Sequence, residues 1–404
     1  MSNETIDETA AMCADYQMDT YARTATIVKG RGSRVFMPNG NQFLDFTSGI
    51  SVVALGHAHP AVVEAIKNQA ETLVHASNLF YTPQVGLLAK KLSEVGLGGK
   101  CFLCNSGAEA NEAMFKLARL WGSRNGGKYE IVTMRGSFHG RTLATLSATG
   151  QSKVQAGYDP LMPGFVFATL NDLESVRAAI TDKTAAVLVE CIQGEGGVVP
   201  ATEEFVRGVR ALCDEKGVLM LCDEIQCGMG RTGKMWAFQH YGVAPDAFTS
   251  AKALGGGLPL GALVASKALS GVFTPGSHGS TFGGNPVACA AALAVFQVFA
   301  EEKVVETAAA RGELFRKGLA QFVEKYDELL EVRGKGLLLG LVLKEPRAGE
   351  LLDEMRASGL LACKAGDNVV RFLPPLNVTE KDLEEGLDMI AEALDVVFGG
   401  EDGE

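Results

Sequence analysis

The chain has 404 residues, enough to bury a large core and to form two or three domains. Hydrophobic residues make up 47% of it and charged residues 21%, a balance typical of globular enzymes and not of disordered or fibrous chains. Because 48 acidic residues outnumber 37 basic ones, the formal charge of −11 argues against nucleic acid or an anionic membrane as a general partner.

The amino-terminal residues are polar and acidic and lack the apolar stretch of a secretory signal. The longest apolar run, residues 287–300, contains Gln297 and is rich in alanine, which favours a buried helix over a membrane span. The nine cysteines show no framework spacing, as expected of reduced thiols in a cytoplasm. Cys101 and Cys104 form a C-x-x-C without a second pair, so we expect neither a metal site nor a redox role.

Two ends of the chain are predicted to form one smaller α+β domain. Residues 1–55 contain a predicted β-hairpin over 33–46, around the turn Pro38-Asn39-Gly40. We expect this segment to join residues 291–404, while residues 56–290 form a large domain between them. In the carboxyl-terminal part, the runs 333–342 and 369–373 are predicted strands.

From about residue 100 to residue 266, short apolar runs alternate with helical patterns. This alternation predicts βαβ units, and so an α/β fold with a mostly parallel sheet and helices on both faces. The predicted strands are 101–104, 130–134, 165–168, 185–191, 218–222, 247–250 and 260–265. Ligands bind such sheets beyond the carboxyl ends of the strands, so the residues that follow each run are the site candidates.

The first run leads through Asn105-Ser-Gly-Ala-Glu into an amphipathic helix. Ser106 and Gly107 at the start of this helix would present free backbone N–H groups to a phosphate. The alternative is that Ser106 only caps the helix.

Phe138 and Arg141 follow the second run. Phe138 would stack on a flat ring and Arg141 would hold a carboxylate through two parallel hydrogen bonds, or they are a core aromatic and a solvated arginine. Glu195 lies among glycines after a later run, where it would offset a nearby arginine or simply occupy a turn.

Asp223 and Lys252 each follow a predicted strand of the same sheet. This pair of residue types suits pyridoxal phosphate: a lysine forms a Schiff base with the cofactor aldehyde, and an aspartate keeps the pyridine nitrogen protonated. A surface lysine and a turn aspartate are the alternative for each residue taken alone.

The segment 275–286 is dense in glycine and hydroxyl side chains, including Ser280 and Thr281, and has neither strand nor helix periodicity. We expect a loop that provides a second phosphate contact, with a plain connecting loop as the alternative. His57 and His59 have no third ligand nearby in the sequence, so a zinc site is not expected.

These segments, in this order, resemble the class-III aminotransferases, pyridoxal-phosphate enzymes of the aspartate-aminotransferase fold type (fold type I). The resemblance extends from about residue 21 to residue 397. It depends on long strings, at residues 54–60, 77–82, 105–113, 223–233 and 278–286.

The resemblance implies a role for each candidate. Lys252 would carry the cofactor and Asp223 would face the pyridine nitrogen, while Phe138 and Ile225 would lie on the two ring faces and Gln226 would bond the 3′-oxygen. Ala108 stands where many relatives have threonine, which removes one hydroxyl near the phosphate. The full expected cofactor-binding set is Ser106, Gly107, Ala108, Phe138, Asp223, Glu224, Ile225, Gln226, Lys252 and Thr281.

Within the class, the strings are most similar to enzymes that move the terminal amino group of N2-acetyl-L-ornithine to 2-oxoglutarate in arginine biosynthesis. Arg141 would hold the acylornithine carboxylate and the side-chain carboxylate of glutamate. Arg371 would take the glutamate α-carboxylate after release from Glu195. Ser280 and Thr281 would reach the active site of the neighbouring subunit, so the resemblance implies a homodimer.

Other activities remain open. Aminotransferases for ornithine, succinylornithine, N-acetyl-lysine or succinyldiaminopimelate share every cofactor residue, so the sequence separates them poorly. The alternative from another class is a non-catalytic α/β protein that binds a small molecule.

Overall fold

The strands of the described residues form one seven-stranded sheet, two four-stranded sheets and one two-stranded sheet. The computed structural model describes residues 3–399, and side chains from residue 8 onward. Over these residues the strands are β1 (Lys29–Arg31), β2 (Arg34–Phe36), β3 (Gln42–Asp45), β4 (Gly98–Cys104), β5 (Glu130–Met134), β6 (Phe165–Ala168), β7 (Thr184–Val189), β8 (Ile192–Gln193), β9 (Val199–Pro200), β10 (Leu219–Asp223), β11 (Ala247–Ser250), β12 (Gly261–Ser266), β13 (Leu329–Lys335), β14 (Leu338–Leu343), β15 (Leu360–Leu361), β16 (Cys363–Lys364) and β17 (Val369–Phe372).

The helices of the same residues begin with an amino-terminal helix and end with a long carboxyl-terminal one. They are α1 (Asn3–Tyr16), α2 (Ser48–Ser51), α3 (Pro60–Thr72), α4 (Pro83–Val95), α5 (Gly107–Arg124), α6 (Leu143–Ala148), α7 (Ser152–Gln155), α8 (Leu173–Ala179), α9 (Glu203–Lys216), α10 (Pro286–Glu301), α11 (Val304–Lys325), α12 (Ala348–Ala357) and α13 (Glu380–Phe398). Short 3-10 helices cover Ala237–Tyr241, Lys252–Gly255 and Lys267–Leu269. None of the described helices is both long and apolar enough to cross a membrane.

The seven-stranded sheet has the spatial order β4-β12-β11-β10-β7-β5-β6. Only β12 in this sheet runs antiparallel to its neighbours, β11 and β4, and the other neighbours pair in parallel. Each predicted run overlaps one of these strands, and the expected mostly parallel α/β sheet is confirmed.

The inner strands are buried along their whole length because helices cover both faces of the sheet. In β7, Val187 and Val189 join one apolar cluster with Val206 of α9, while Ala186 and Leu188 join a second cluster with residues of α5. Side chains alternate between the two faces of a strand, so this division places α9 and α5 on opposite sides. Helices on both faces explain why these strands read as almost continuous hydrophobic runs.

Two smaller sheets contain the amino- and carboxyl-terminal parts. The predicted hairpin is confirmed: β2 and β3 pair antiparallel, and the turn includes Gly40 with φ +89°. Strand β3 then pairs in parallel with β15, Leu44 opposite Leu360. This pairing supports the expected association of the two ends, while the boundaries after residues 55 and 290 stay predictions.

Residues 333–342, predicted as one strand, form the turn and both inner halves of a hairpin. β13 and β14 pair antiparallel, with Lys335 opposite Leu338. Gly334 and Gly336 have φ of +109° and +56°, which only glycine adopts without strain, so the chain reverses at this point. The apolar run conceals the turn because its glycines also fit a strand pattern.

The buried helix predicted over residues 287–300 is confirmed as α10. Asn285 caps it by accepting hydrogen bonds from the backbone N–H groups of Val287 and Ala288, and Pro286 occupies its first turn. The helix packs against α3 and α4, and α4 in turn contacts the edge strand β4 of the large sheet.

Candidate active site

A cavity of about 370 Å³ opens beyond the carboxyl ends of β7, β10 and β11. This is the edge where an open α/β sheet binds ligands. Its lining comprises Val52, Asn105, Ser106, Gly107, Ala108, Phe138, His139, Gly140, Glu190, Glu195, Asp223, Ile225, Gln226, Ala251, Lys252 and Gly257–Leu260. The structure thus brings together most of the residues that the sequence analysis selected from five separate loops.

Lys252 lies at the cavity wall, directly after β11. Its φ of +45° is uncommon for a residue with a side chain, and such conformations cluster at functional sites. Exclusion of water lowers the pKa of its amine to about 8, and repulsion from Arg371 adds to this effect against the attraction of nearby carboxylates. A larger fraction of Lys252 is therefore a neutral, nucleophilic amine near neutral pH than of an ordinary lysine.

Asp223 is held rigidly at the end of β10. Its Oδ2 accepts a hydrogen bond from Asn111 Nδ2 at 2.8 Å and lies 2.8 Å from His139 Nδ1, while its Oδ1 accepts from the backbone N–H of Ile225 at 3.0 Å. Thr249 donates in turn to the amide oxygen of Asn111 at 2.9 Å. These contacts fix the carboxylate in a buried position where it can face a positively charged ring nitrogen.

The start of α5 has free backbone amides of the kind expected at an anion site. Ser106 caps the helix by accepting a hydrogen bond from the backbone N–H of Glu109 at 3.1 Å. Capping was the alternative to phosphate binding, but Ser106 also lines the cavity. The N–H groups of Gly107 and Ala108 donate to no group among residues 3–399. Two free amides at a helix start favour a phosphate.

Phe138 and Ile225 both line the cavity and suit the two faces of a flat ring. A Cβ atom at Gly107 would lie 2.9 Å from Ile225 Cδ1, so glycine at this position makes room for Ile225. The Arg141 guanidinium lies 5.5 Å from the centre of the Phe138 ring, on the exposed side. Arg141 therefore stands next to the cavity without forming part of its wall.

An ion pair between buried Arg371 and partly buried Glu195 joins the cavity to the carboxyl-terminal part of the chain. Arg371 Nη1, from β17, donates to Glu195 Oε1 at 2.7 Å and to Gln226 Oε1 at 2.9 Å. Burial alone would raise the pKa of Glu195, but Arg371, with smaller effects of Lys252 and Gln226, more than offsets burial, and the pKa falls below its ordinary value. Glu195 therefore neutralises Arg371 at the cavity, which is the first of the two roles considered from the sequence, an acid that offsets a nearby arginine.

Glu224, one of the residues predicted to bind the cofactor, turns away from the cavity. Its carboxyl accepts from the backbone N–H groups of Ala237 at 2.7 Å and Phe238 at 2.9 Å, and it does not line the cavity. Successive side chains near a strand end point to opposite sides, so the neighbour of Asp223 turns away from the ligand edge. Glu224 instead anchors the segment Ala237–Tyr241.

Ser280 and Thr281 lie outside this cavity of their own chain. Ser280 Oγ accepts from Asn105 Nδ2 at 3.2 Å and from the backbone N–H of Gly283 at 2.9 Å. Thr281 lines two other surface hollows, one beside the segment 75–86 and one beside the end of β4 and the first turns of α5. Within one chain, neither residue contributes to the site that contains Lys252.

Glu190 and Asn111 are polar residues of the site that the sequence analysis did not select. Glu190 lines the cavity directly after β7, and the signal for it was a single acidic residue at the end of a fully apolar run. Asn111 holds Asp223 from the helix α5, and no local pattern distinguishes it from an ordinary helix residue.

Comparisons with known proteins agree with this geometry. The sequence pattern of the family "Aminotransferase class-III" matches residues 16–394. An acetylornithine aminotransferase of Caldanaerobacter subterraneus is 49% identical over 94% of this chain and 97% of that protein. One of Methanocaldococcus jannaschii is 48% identical over 95% and 96%.

Solved structures give the same result. The ornithine aminotransferase of Toxoplasma gondii superposes with a TM-score of 0.94 at 32% identity, covering 98% of this chain and 96% of that one. The N-acetylornithine aminotransferase of Stenotrophomonas maltophilia has a TM-score of 0.83 at 37% identity, covering 96% and 98%. Since the family pattern spans nearly the whole sequence, the chain belongs to the class-III aminotransferases, which are pyridoxal-phosphate-dependent transferases of fold type I.

Proposed function

We propose that the protein moves the terminal amino group of N2-acetyl-L-ornithine to 2-oxoglutarate, giving N-acetyl-L-glutamate 5-semialdehyde and L-glutamate. The observation that carries the proposal is the unequal state of two arginines at one site. Arg371 is neutralised by Glu195, whereas Arg141 has no carboxylate partner among the described residues. An acylated donor brings one carboxylate to the site and glutamate brings two, so a site with one free and one neutralised arginine suits both in turn.

The residues fit pyridoxal phosphate. Lys252 offers an amine for the aldehyde, Asp223 a carboxylate for the ring nitrogen, and the N–H groups of Gly107 and Ala108 a place for the phosphate. When bound, the cofactor supplies an electron-accepting ring next to the carbon that carries the amine.

The protein groups then have separate tasks. Lys252, with a pKa lowered to about 8, takes a proton from the substrate carbon that carries the amine. It then donates this proton to the cofactor carbon that receives the amino group. Asp223, fixed by Asn111 and His139, keeps the positive charge on the ring nitrogen. Arg141 binds the carboxylate of N-acetylornithine and, in the other half-reaction, the side-chain carboxylate of glutamate. Glu195 releases Arg371 when the glutamate α-carboxylate enters.

Arg371→Ala is expected to damage the glutamate half-reaction more than the acylornithine half-reaction. Losing a charge-assisted contact to the α-carboxylate should lower kcat/KM for glutamate about 100-fold, and that for N-acetylornithine less than about tenfold. Single-turnover absorbance changes with each substrate measure both values. Arg333→Ala, which removes a surface arginine paired with Glu331, is the control.

Equal losses for the two substrates would contradict this switch. Because Arg371→Ala leaves Glu195 without its partner, the double variant with Glu195→Gln shows whether that unpaired carboxylate repels the acylated donor.

The substrate itself is tested by mixing the cofactor-loaded protein separately with N-acetylornithine, ornithine and succinyldiaminopimelate. We expect N-acetylornithine to bleach the yellow absorbance fastest. Its α-nitrogen is an uncharged amide, which leaves Arg371 paired with Glu195. Preference for another amine would keep the chemistry and assign a sister activity. Absence of a Schiff-base band that stays with the protein after addition of pyridoxal phosphate would contradict the function as a whole and favour a non-catalytic binding protein.

We also propose a homodimer with shared active sites. Leu79, Phe80 and Phe282 are 85%, 70% and 62% exposed and lie near Thr281, and Asn78 ties their two segments together through the carbonyl groups of Ser280 and Gly283. An exposed apolar surface of this kind suits a second copy of the chain. Sedimentation should give a dimer, and a monomer at working concentration would contradict the proposal.

A cytoplasmic location is supported by the cysteines. All nine are free thiols in the structure, and most are buried. Burial raises the pKa of both Cys101 and Cys104 to about 12, so this C-x-x-C is unreactive at neutral pH. Unpaired thiols in this number are typical of a reducing compartment.

A further inference from the structure

Glu190 and Asp223 place two buried carboxyl groups side by side. Val189 of β7 pairs with Cys222 of β10, so the next residues of the two strands, Glu190 and Asp223, are neighbours. Adjacent strands lie about 4.8 Å apart, and residues in register project to the same face. Both line the cavity, with exposures of 6% and 4%. Two carboxylates this close in a buried site cannot both be ionised without a large electrostatic cost.

The hydrogen bonds show which of the two carries the charge. Asp223 receives bonds from Asn111 and the backbone of Ile225 and faces His139. Glu190 receives one, from the backbone N–H of Phe138 to Oε2 at 3.1 Å, and its other oxygen has no donor among residues 3–399. Donors stabilise the ionised form of a carboxyl, so the negative charge belongs on Asp223 and the proton on Glu190.

We propose that Glu190 is a positioning residue that remains a neutral carboxylic acid in the working enzyme, where it holds the backbone of Phe138 and leaves the negative charge on Asp223. The inference deepens the proposed function, because it rests on Asp223 as the partner of the ring nitrogen. Its consequence is a neutral acid beside a charged one, so that the ring nitrogen meets a single fixed anion and Phe138 keeps its place against the ring.

The surroundings of Glu190 support this assignment. Burial is the largest cause that raises its pKa well above the ordinary value, followed by repulsion from Asp223. Glu195 and the thiol of Cys227 also face it, while the Phe138 N–H and the charge of Lys252 act in the opposite direction without reversing the shift.

Infrared spectroscopy of the full-length protein, with and without pyridoxal phosphate, tests the protonation directly. At pH 7 to 8 we expect the band of a protonated carboxyl group, lost in Glu190→Gln. Glu224 is a second buried carboxyl whose pKa burial raises, to about 8, so the band must survive in Glu224→Gln. Absence of a band specific to Glu190 would overturn the proposal. This readout does not need a functioning enzyme.

Thermal unfolding gives a second measurement whose sign is fixed. A raised pKa means that folded Glu190 keeps a proton that the unfolded chain releases above its ordinary pKa, so wild-type stability falls as pH rises. Glutamine has no such proton. The Tm of Glu190→Gln minus that of the wild type should therefore increase from pH 5 to pH 8, and a constant or decreasing difference would contradict the neutral acid.

Cofactor affinity tests the positioning role. Glu190→Gln keeps an oxygen for the Phe138 N–H and should bind pyridoxal phosphate within about threefold of the wild type. Glu190→Ala leaves that N–H without a partner and should bind at least about tenfold more weakly. Equal affinities of the two variants would overturn the role. Failure of the wild type itself to bind the cofactor would instead contradict the proposed function.

Discussion

Replacing Lys252 with alanine is expected to abolish the Schiff-base absorbance of the cofactor-loaded protein and to slow the N-acetylornithine half-reaction by about 10⁴-fold or more. The change removes the attachment point of the cofactor and the base that moves the proton at the substrate carbon. The amine lies on the cavity wall, and its pKa is lowered to about 8, which suits a base near neutral pH. A water molecule in its place is a far weaker base. Stopped-flow absorbance with saturating substrate measures the loss.

Lys267→Ala is the matched control, since it removes an exposed lysine that follows the next strand, β12. Its half-reaction should remain within about twofold of the wild type. A small primary amine added to Lys252→Ala should restore part of the rate, because the cavity of about 370 Å³ can admit it. A rate for Lys252→Ala within tenfold of the wild type would contradict the assigned role.

The sequence predicted the large sheet because its inner strands carry a local signal. Strands buried on both faces are mostly apolar, and β7, β10 and β11 are fully buried with only Thr184, Asp223, Thr249 and Ser250 as polar residues. The ligand edge then follows from topology, since the carboxyl ends of parallel strands meet at one edge. On this ground the sequence alone predicts that Lys252 and Asp223 lie at the same site.

Contacts between distant segments carry no such signal. Arg371 and Glu195 are 176 residues apart, so only the family resemblance suggested their pairing. The direction of the Glu224 side chain depends on the residue at which β10 ends. Sequence patterns do not define the end of a strand to within one residue. Glu190 was missed because an acid at the end of an apolar run looks like a solvated turn until the neighbouring strand is known.

Asp223→Asn is expected to lower the rate of the half-reaction by about 10³-fold, because the ring nitrogen loses the charge that keeps it protonated. The hydrogen bonds make the substitution more severe than a change of charge alone. Both oxygens of Asp223 accept from N–H donors, Asn111 on one and Ile225 on the other. Wherever the new amide NH₂ points, it faces a donor, so one buried N–H loses its partner at a cost of about 1–3 kcal/mol in stability.

Thermal unfolding of the cofactor-free protein measures that structural loss separately from the half-reaction rate. Asp214→Asn removes the same charge from the exposed face of α9 and should change neither quantity appreciably. If Asp223→Asn loses stability but keeps its rate within tenfold, the carboxylate serves the fold and not the cofactor.

If Glu190 is neutral as proposed, it cannot take over the charge of Asp223 unless it gives up its own proton. The rate of Asp223→Asn should then recover as pH rises, whereas Asp223→Asn combined with Glu190→Gln should show no such recovery.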